Sequence, residues 1–287
     1  MAKSVRETKR TLTQTFAEAG IPFAEEDALE LILAATGFDK NVLILRGSDP
    51  LTPESSGLIG SYRDRRLSGE PIDHILGWRE FYGRRFQISK DVLSPRADTE
   101  TLIRGAIKRL KQTNSPYLLD LGTGSGVIGL TLLAERPKAR LVATDLSSAA
   151  LSIAQANAES LNLDSRVDFH EGEWWTAVPK GQKFDMVLSN PPYITDAAMQ
   201  GLEREVLDFD PDMALRGGID GLDAYRRIIF DASKYIKLGG WLGLEIGFDQ
   251  GQTLKKRLEA GTWKNITIDA DLGGMDRVVW AQNSAEI

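Results

Sequence analysis

From residue 117 onward the chain alternates short apolar runs with longer helical stretches, and this rhythm narrows its possible folds more than any other feature. Runs of strand length occupy 117–120, 141–145, 167–171, 184–189 and 241–246, with helical periodicity over 127–135, 149–161 and 222–235 between them. Two further strands are expected at 265–270 and 277–282. Strands separated by helices join through right-handed crossovers into a mostly parallel, doubly wound α/β sheet. A seven-stranded Rossmann-like sheet is therefore expected over 114–287. Ligands of such sheets sit beyond the carboxyl ends of the strands, so the loops after strands are where chemistry is to be sought.

The preceding segment reads as helical. Apolar residues recur at helical spacing over 5–19 and 25–37, and Glu25-Glu26-Asp27 suits the positive end of a helix dipole. Thr52-Pro53 is a start signal for a helix running toward Leu67, because proline's missing N–H has no partner at a first helical position anyway. Gly69 and Pro71 punctuate its end. Residues 80–88 alternate around Gly83 and predict a hairpin, and Asp98 is placed to cap a helix over 99–111. The expected organisation is a helical domain at 1–76, a hairpin and linking helix at 77–113, and the sheet domain at 114–287.

Composition removes several function classes. The absence of cysteine excludes disulfides, a thiol nucleophile and cysteine-based zinc sites. His74 and His170 are the two histidines, far apart and without ligand spacing, so no metal is expected. A net charge of −6 argues against a dedicated nucleic-acid binder, whose affinity rests on a basic face, and points to a protein or small-molecule substrate. Arg63-Asp64-Arg65-Arg66 reads as a solvated helix face and Arg84-Arg85 as a hairpin tip. No apolar run is long enough for a membrane span and no secretory h-region is visible, so a cytoplasmic location is expected.

Two loops carry the chemistry. The first strand ends in Asp120-Leu121-Gly122-Thr123-Gly124-Ser125-Gly126 and runs straight into a helix. Alternate glycines permit positive φ and close backbone approach, and the helix N-terminus supplies N–H donors. Asp145, at the end of the second strand, can accept both hydroxyls of a ribose. Gly124-Ser125-Gly126-Val127-Ile128-Gly129 also satisfies a dinucleotide fingerprint, so the loop alone leaves the nucleoside open. Asp120 favours S-adenosylmethionine, whose cationic end and lack of phosphate suit an acidic neighbour.

The fourth strand ends in Asn190-Pro191-Pro192-Tyr193. The prolines fix φ and lack N–H groups, which makes the turn rigid and rich in acceptors. Asn190 adds a side-chain oxygen and Tyr193 a flat face. Such a site fits a planar –NH2, as in a glutamine amide or the exocyclic amine of a base. The pattern points to methyl transfer onto that nitrogen. A dinucleotide oxidoreductase would leave the Asn-Pro-Pro-Tyr turn unexplained, and a non-catalytic binding module is a further alternative.

With these residues in place, the chain resembles the HemK-type release-factor glutamine methyltransferases along nearly its whole length. The matching segments are Glu70-Pro71-Ile72, Gly77-Trp78-Arg79-Glu80-Phe81, Pro95-Arg96-Ala97-Asp98-Thr99-Glu100, the glycine loop, Ser189-Asn190-Pro191-Pro192-Tyr193-Ile194, Gly217-Gly218-Ile219-Asp220-Gly221-Leu222 and Glu245-Ile246-Gly247. The resemblance implies a class I methyltransferase sheet behind a small helical domain that helps hold a release factor. It implies methylation of the glutamine in that factor's Gly-Gly-Gln loop, converting S-adenosyl-L-methionine to S-adenosyl-L-homocysteine without a metal. The chain is then expected to act as a monomer, without direct nucleic-acid binding. A DNA or RNA base, or a ribosomal-protein glutamine, is the alternative target.

Carried over by position, Gly122, Thr123, Gly124, Ser125, Gly126 and Asp145 would bind the cofactor, with Trp174 flanking its adenine. Asn190 would touch cofactor and substrate, and Pro191, Pro192 and Tyr193 would complete the catalytic pocket. Two positions depart from the family. Ala97 stands where a proline is common, and Gly172-Glu173-Trp174-Trp175 stands where an Asp and a Phe are common, which leaves open which tryptophan meets the adenine. Arg96 is read as pairing with Glu100 and is left out of the site. Gly217-Gly218 with Asp220-Gly221 is read as a turn before the next helix.

Overall fold

The structure is a computed structural model describing residues 3–284, and it divides into two compact units, one running through Trp78 and the other from Arg79. In the first unit Ser4 and Glu7 form a reciprocal box at the start of α1 (Val5–Glu18): the Glu7 N–H donates to Ser4 Oγ at 3.2 Å and the Ser4 N–H donates to the Glu7 carboxylate at 3.0 Å. α2 (Ala24–Thr36), α3 (Lys40–Arg46), α4 (Pro53–Leu67) and α5 (Ile72–Leu76) follow. Thr52 caps α4 by accepting the Ser55 N–H at 3.1 Å, as the Thr-Pro signal implies. Leu12, Phe16, Leu31, Ile32, Ile59 and Ile75 form the core of this unit. α3 and α5 escape a periodicity reading because neither is long enough to show a repeating apolar face.

The arginine cluster on α4 is not simply solvated, contrary to the sequence expectation. Arg66 is buried and its Nε donates to Asp27 at 2.7 Å, while Arg65 holds Glu70 through a forked pair and reaches the carbonyls of His74 and Ile75. Removing one member of a buried pair leaves an uncompensated charge, so the Arg66–Asp27 pair helps tie the unit together.

The second unit contains the hairpin, whose first strand begins at the boundary: β1 (Trp78–Phe81) pairs with β2 (Arg84–Gln87). Tyr82 and Gly83 between them both have positive φ, the backbone that matches the twist of a two-residue hairpin. A 3-10 turn at Ala97–Thr99 leads into α6 (Glu100–Arg109). Asp98 does not cap this helix; its carboxylate instead faces Arg277 at 3.3 Å.

The sheet comprises β3 (Tyr117–Leu121), β4 (Arg140–Asp145), β5 (Val167–Glu171), β6 (Phe184–Ser189), β7 (Ile236–Glu245), β8 (Trp263–Ala270) and β9 (Asp276–Asn283). Helices α7 (Val127–Glu135) and α8 (Ser148–Ser160) cross between the early strands. The short α9 (Asp196–Met199), α10 (Arg204–Phe209) and α11 (Asp212–Leu215) precede α12 (Asp223–Tyr235), and α13 (Gly251–Glu259) leads to β8. Spatial order is β5-β4-β3-β6-β7-β9-β8, parallel except for β9, which runs antiparallel to both neighbours. Seven strands, mostly parallel, is the sheet that the alternating pattern predicts. α13 shows no apolar period in sequence, because its polar run buries only Gly251, Leu254 and Leu258. Among the described residues no helix is long and apolar enough to cross a membrane.

Successive strand residues point to opposite faces, and two cores result. Leu118, Leu141, Met186, Leu188 and Trp280 belong to one; Leu119, Leu121, Val142, Val187, Leu242 and Leu244 belong to the other. Trp280 of β9 is fully buried and lies under Gly105 of α6 and Gly243 of β7, where an added Cβ would fall inside contact distance of the indole ring. The guanidinium of Arg109 sits 4.1 Å from the centre of the same ring. Backbone must approach that closely for the helix to seat on the sheet. Gly243→Ala is therefore expected to lower unfolding free energy by about 1–3 kcal/mol, the usual range for overpacking, read as a shifted denaturant midpoint at constant slope.

Candidate active site

Strand order reverses at β3, whose neighbours β4 and β6 lead to opposite halves of the sheet, and a crevice opens beyond the carboxyl ends of strands at such a point. β3 and β6 pair in parallel with Leu121 opposite Ser189, and the Ser189 hydroxyl donates to the Leu121 carbonyl at 2.6 Å. The glycine loop and the Asn-Pro-Pro-Tyr turn therefore begin side by side. A cavity of about 1090 Å³, its open mouth included, is lined by Gly122, Thr123, Gly124, Ser125, Asp145, Trp174, Asn190, Pro191 and Pro192, among others. Gly126 and Tyr193, both expected at the site, are not among the residues that line it.

The loop is held from below. Gly122 and Thr123 both donate their N–H groups to the Thr144 carbonyl at 2.9 Å, which binds the end of β3 to the end of β4. Gly124 has φ +55, and a Cβ there would meet nothing within 4 Å, leaving room for a ligand against the backbone. Gly126 has φ +82 and caps α7, where a Cβ would press on Leu130 at 2.7 Å. Asn157 of α8, fully buried, donates to the Ser125 carbonyl at 2.8 Å and exchanges hydrogen bonds with the backbone of Gln87. One amide thereby ties the hairpin to the glycine loop; a lone Asn in an otherwise ordinary helix gave no sequence signal of it.

The two acidic residues of this half play different parts. Asp145 lines the cavity, its Oδ2 accepting the Gly124 N–H and its Oδ1 the Ser147 N–H, each at 2.9 Å. Burial raises its pKa against the pull of those donors and of the Leu146 N–H, and a carboxylate's four acceptor positions still leave room for a ligand hydroxyl. Asp120 departs from the sequence expectation that its charge greets a cationic ligand. It is fully buried, and its Oδ2 is turned into the loop to accept the Thr123 hydroxyl at 2.8 Å and the Gly129 N–H at 3.0 Å. Burial pushes this carboxyl up to about 6. Its Oδ2 thereby shapes the loop, and its Oδ1 is buried without a hydrogen-bond partner.

The structure separates the two tryptophans. Trp174 has φ +45, uncommon for a side chain of this size, and lines the cavity beside Gly122. Trp175 is buried in the core, stacks on Tyr235 at 4.6 Å and donates its indole N–H to the carbonyls of Arg227 and Ile228.

The proline turn is clamped from its far side. The carbonyl of Tyr193 accepts from the Gln250 amide at 3.1 Å, and Ile194 exchanges backbone hydrogen bonds with Leu215 and Gly217. Gly217 and Gly221 lie against the backbone of Tyr193, where a Cβ on either would fall inside contact distance. The glycine cluster read as a mere turn before α12 is thus also the brace of the Asn-Pro-Pro-Tyr loop. Burial raises the Tyr193 phenol above its usual range, with Glu245 adding to the effect, so the hydroxyl stays neutral near pH 7.

Several lining residues escape the sequence reading. The segment after the hairpin contributes Val92, Ser94, Pro95, Arg96 and Thr99, and the segment around α11 contributes Pro211, Met213 and Ala214. Arg96 does not pair with Glu100, which is taken by Arg104 at 3.1 Å; it reaches Asp210 at 2.7 Å, joining these two walls. Under the turn lies Glu245, at the end of β7. Register places Leu244 opposite Ser189, so Glu245 stands alongside Asn190. It is fully buried; the Thr99 and Asn190 side chains beside it pull its pKa down against burial, and one carboxylate oxygen has no hydrogen-bond partner.

Residues 7–77 match the family described as PrmC N-terminal domain, and residues 99–207 match the one described as Methyltransferase small domain. The chain is similar to the release factor glutamine methyltransferase of Cereibacter sphaeroides, at 42% identity over 95% of this chain and 96% of that one. It is similar also to the protein of that description from Moorella thermoacetica, at 37% identity over 99% and 100% of the two chains. The crystal structure of a methyltransferase from Pyrococcus furiosus aligns with a TM-score of 0.52 over 79% of this chain and 100% of that one, at 17% identity, a likeness of fold. The seven-stranded sheet is the Rossmann-like sheet of class I methyltransferases.

Substitution separates the tryptophans experimentally. Trp175→Ala is expected to lower stability by about 3–5 kcal/mol, as for other large core truncations, measured by chemical denaturation. Trp174→Ala is expected to leave most of that stability and instead weaken S-adenosylhomocysteine binding by calorimetry. Equal stability losses in the two variants would contradict the assignment.

Proposed function

Since the chain belongs to the release factor glutamine methyltransferase family, we propose that it methylates the side-chain amide nitrogen of the glutamine in the Gly-Gly-Gln loop of peptide chain release factors. The methyl donor is S-adenosyl-L-methionine and the product S-adenosyl-L-homocysteine. The observation that carries this reading is the shared cavity: a glycine loop fit for a nucleoside and a rigid acceptor-rich turn fit for a planar amide line one space. Gly122, Thr123, Gly124, Ser125 and Asp145 would hold the donor, with Gly126 fixing the loop behind them and Trp174 against the adenine. The residues fit that ligand because Asp145 keeps acceptor room for a ligand hydroxyl and Gly124 leaves its backbone open. When bound, the donor supplies a methyl group on a positively charged sulfur, already activated for attack.

Asn190 and the carbonyls of the proline turn then have one task. An amide nitrogen has its lone pair delocalised, behind a rotation barrier of roughly 18–20 kcal/mol. Two acceptors gripping its two N–H bonds orient that lone pair toward the incoming methyl, in line with the leaving sulfur. Such positioning contributes up to about 7–11 kcal/mol, and no strong base is required before attack. The methylated nitrogen is cationic and acidic, and releases its proton to solvent. Tyr193, neutral at working pH, acts through its braced backbone, not as a base. Pro191 and Pro192 keep the acceptors rigid and free of competing donors.

The helical unit through Trp78 is assigned to holding the release factor, and its exposed Phe23, Ile44 and Leu45 offer apolar surface to a protein partner. In this reading the chain works as a cytoplasmic monomer and takes no nucleic-acid partner. Labelled methyl is expected to pass from S-adenosylmethionine to a full-length release factor, and not to one whose loop glutamine is replaced. Asn190→Ala is expected to lower turnover roughly 100-fold or more while retaining affinity for S-adenosylhomocysteine. Transfer to duplex DNA in place of the release factor would overturn the substrate.

A further inference from the structure

Glu245 belongs to no wall of the cavity, yet it is a fully buried carboxyl group set alongside the residue on which the proposed reaction turns. It ends β7, and the parallel register with β6 sets it alongside Asn190. A side-chain amide has two faces: an oxygen that accepts and an NH2 that donates. Which face meets a substrate is decided by what holds the other. Resting on the reading of Asn190 as the amide-gripping residue, we propose that Glu245 is a positioning residue whose carboxylate accepts the Asn190 NH2, so that the Asn190 oxygen is presented to the cavity as an acceptor.

The surroundings support that assignment. Glu245 is 1% exposed, so its oxygens are shielded from solvent, and one of them has no hydrogen-bond partner, leaving it open to the neighbouring Asn190 amide. Thr99, a cavity residue at the start of α6, sets its side chain near the same group and pulls its pKa down. The charged and titratable groups facing it are Asp98 before α6, Arg277 of β9, Tyr193 after β6 and Tyr225 of α12. Arg277 is shared with Asp271 and Asp98, and Tyr225 donates to the Glu245 backbone carbonyl at 2.8 Å. Hence no neighbour neutralises this carboxylate outright, and burial pushes its pKa up to about 7. Protonation reverses its hydrogen-bonding sense: a neutral carboxyl group can donate to the Asn190 oxygen and occupy the lone pairs needed by the substrate. The orienting state is thus the ionised one, gained as pH rises through about 7.

Two measurements test the inference. In protein labelled with 15N at asparagine, with Asn190→Ala identifying the signal, the Asn190 side-chain NH2 pair is expected to shift with a midpoint near pH 7. That shift is expected to vanish in Glu245→Gln. In methyl-transfer assays, Glu245→Gln, whose amide can hold Asn190 either way round, is expected to lower kcat roughly 10–100-fold with little change in KM. Its kcat is also expected to lack the rise through neutral pH expected of the wild type. An Asn190 pair that does not titrate in the wild type would overturn the proposal whatever the activity, and so would undiminished kcat in a folded Glu245→Gln variant. A titrating Asn190 pair in a protein that transfers no methyl to a release factor would instead overturn the proposed function and leave the Asn190–Glu245 contact standing.

Discussion

The parallel pairing of β3 with β6 is the constraint on which the site depends. Two segments 68 residues apart in sequence end at the same level because Leu121 lies opposite Ser189, and a side-chain hydrogen bond between them fastens the ends of the strands. Slippage by one residue would turn every side chain of β6 to the other face and carry the proline turn away from the glycine loop. Both cores resist this, since Met186 and Leu188 pack on one face and Val187 on the other. Sheet register is therefore what gives a nucleoside-binding loop and an amide-binding turn a common cavity.

Much of the remaining structure keeps those two loops from moving. The glycine loop is tied to β4 through the Thr144 carbonyl, to α8 through Asn157 and to its own strand through Asp120. The proline turn is clamped by Gln250 and packed against Gly217 and Gly221. Most of these contacts end on backbone atoms. A methyl transfer whose barrier falls mainly through orientation needs such rigidity, because its catalytic groups act by where they are. Burial of Asp120 and Glu245 has a cost: both carboxyl groups are pushed upward, so each destabilises the folded chain as pH rises through its folded value, about 6 and about 7. Sites often carry that kind of local strain against stability.

Some of this was legible from residues alone. Alternating apolar and helical stretches implied a mostly parallel sheet, and strand ends marked the loops at 122–126 and 190–193. Short helices were not, because α3 and α5 contain too few turns to show a period. Asp98 looks like a cap in sequence, but Arg277, far along the chain, offers its carboxylate an opposite charge. Arg96 has a nearby carboxylate at Glu100, yet that residue is held by Arg104, and the flanking segments bring Asp210 to the guanidinium instead. Local rules fail where a distant charge competes with a neighbour.

The sequence by itself determined the sheet, the residue types at each strand end and the group such residues can grip, because these follow from periodicity and from the chemistry of glycine, proline and amides. Only the tertiary structure decided which of two adjacent tryptophans faces the cavity, since both sit in one short turn and backbone geometry alone separates them. It decided also that Asp120 serves the loop, that Gly217 and Gly221 support the proline turn, and that Glu245 lies beside Asn190. The last two are contacts between elements remote in sequence, and the first depends on how the loop folds back on its own strand end. Pairing register and packing create such contacts, and no local pattern encodes them.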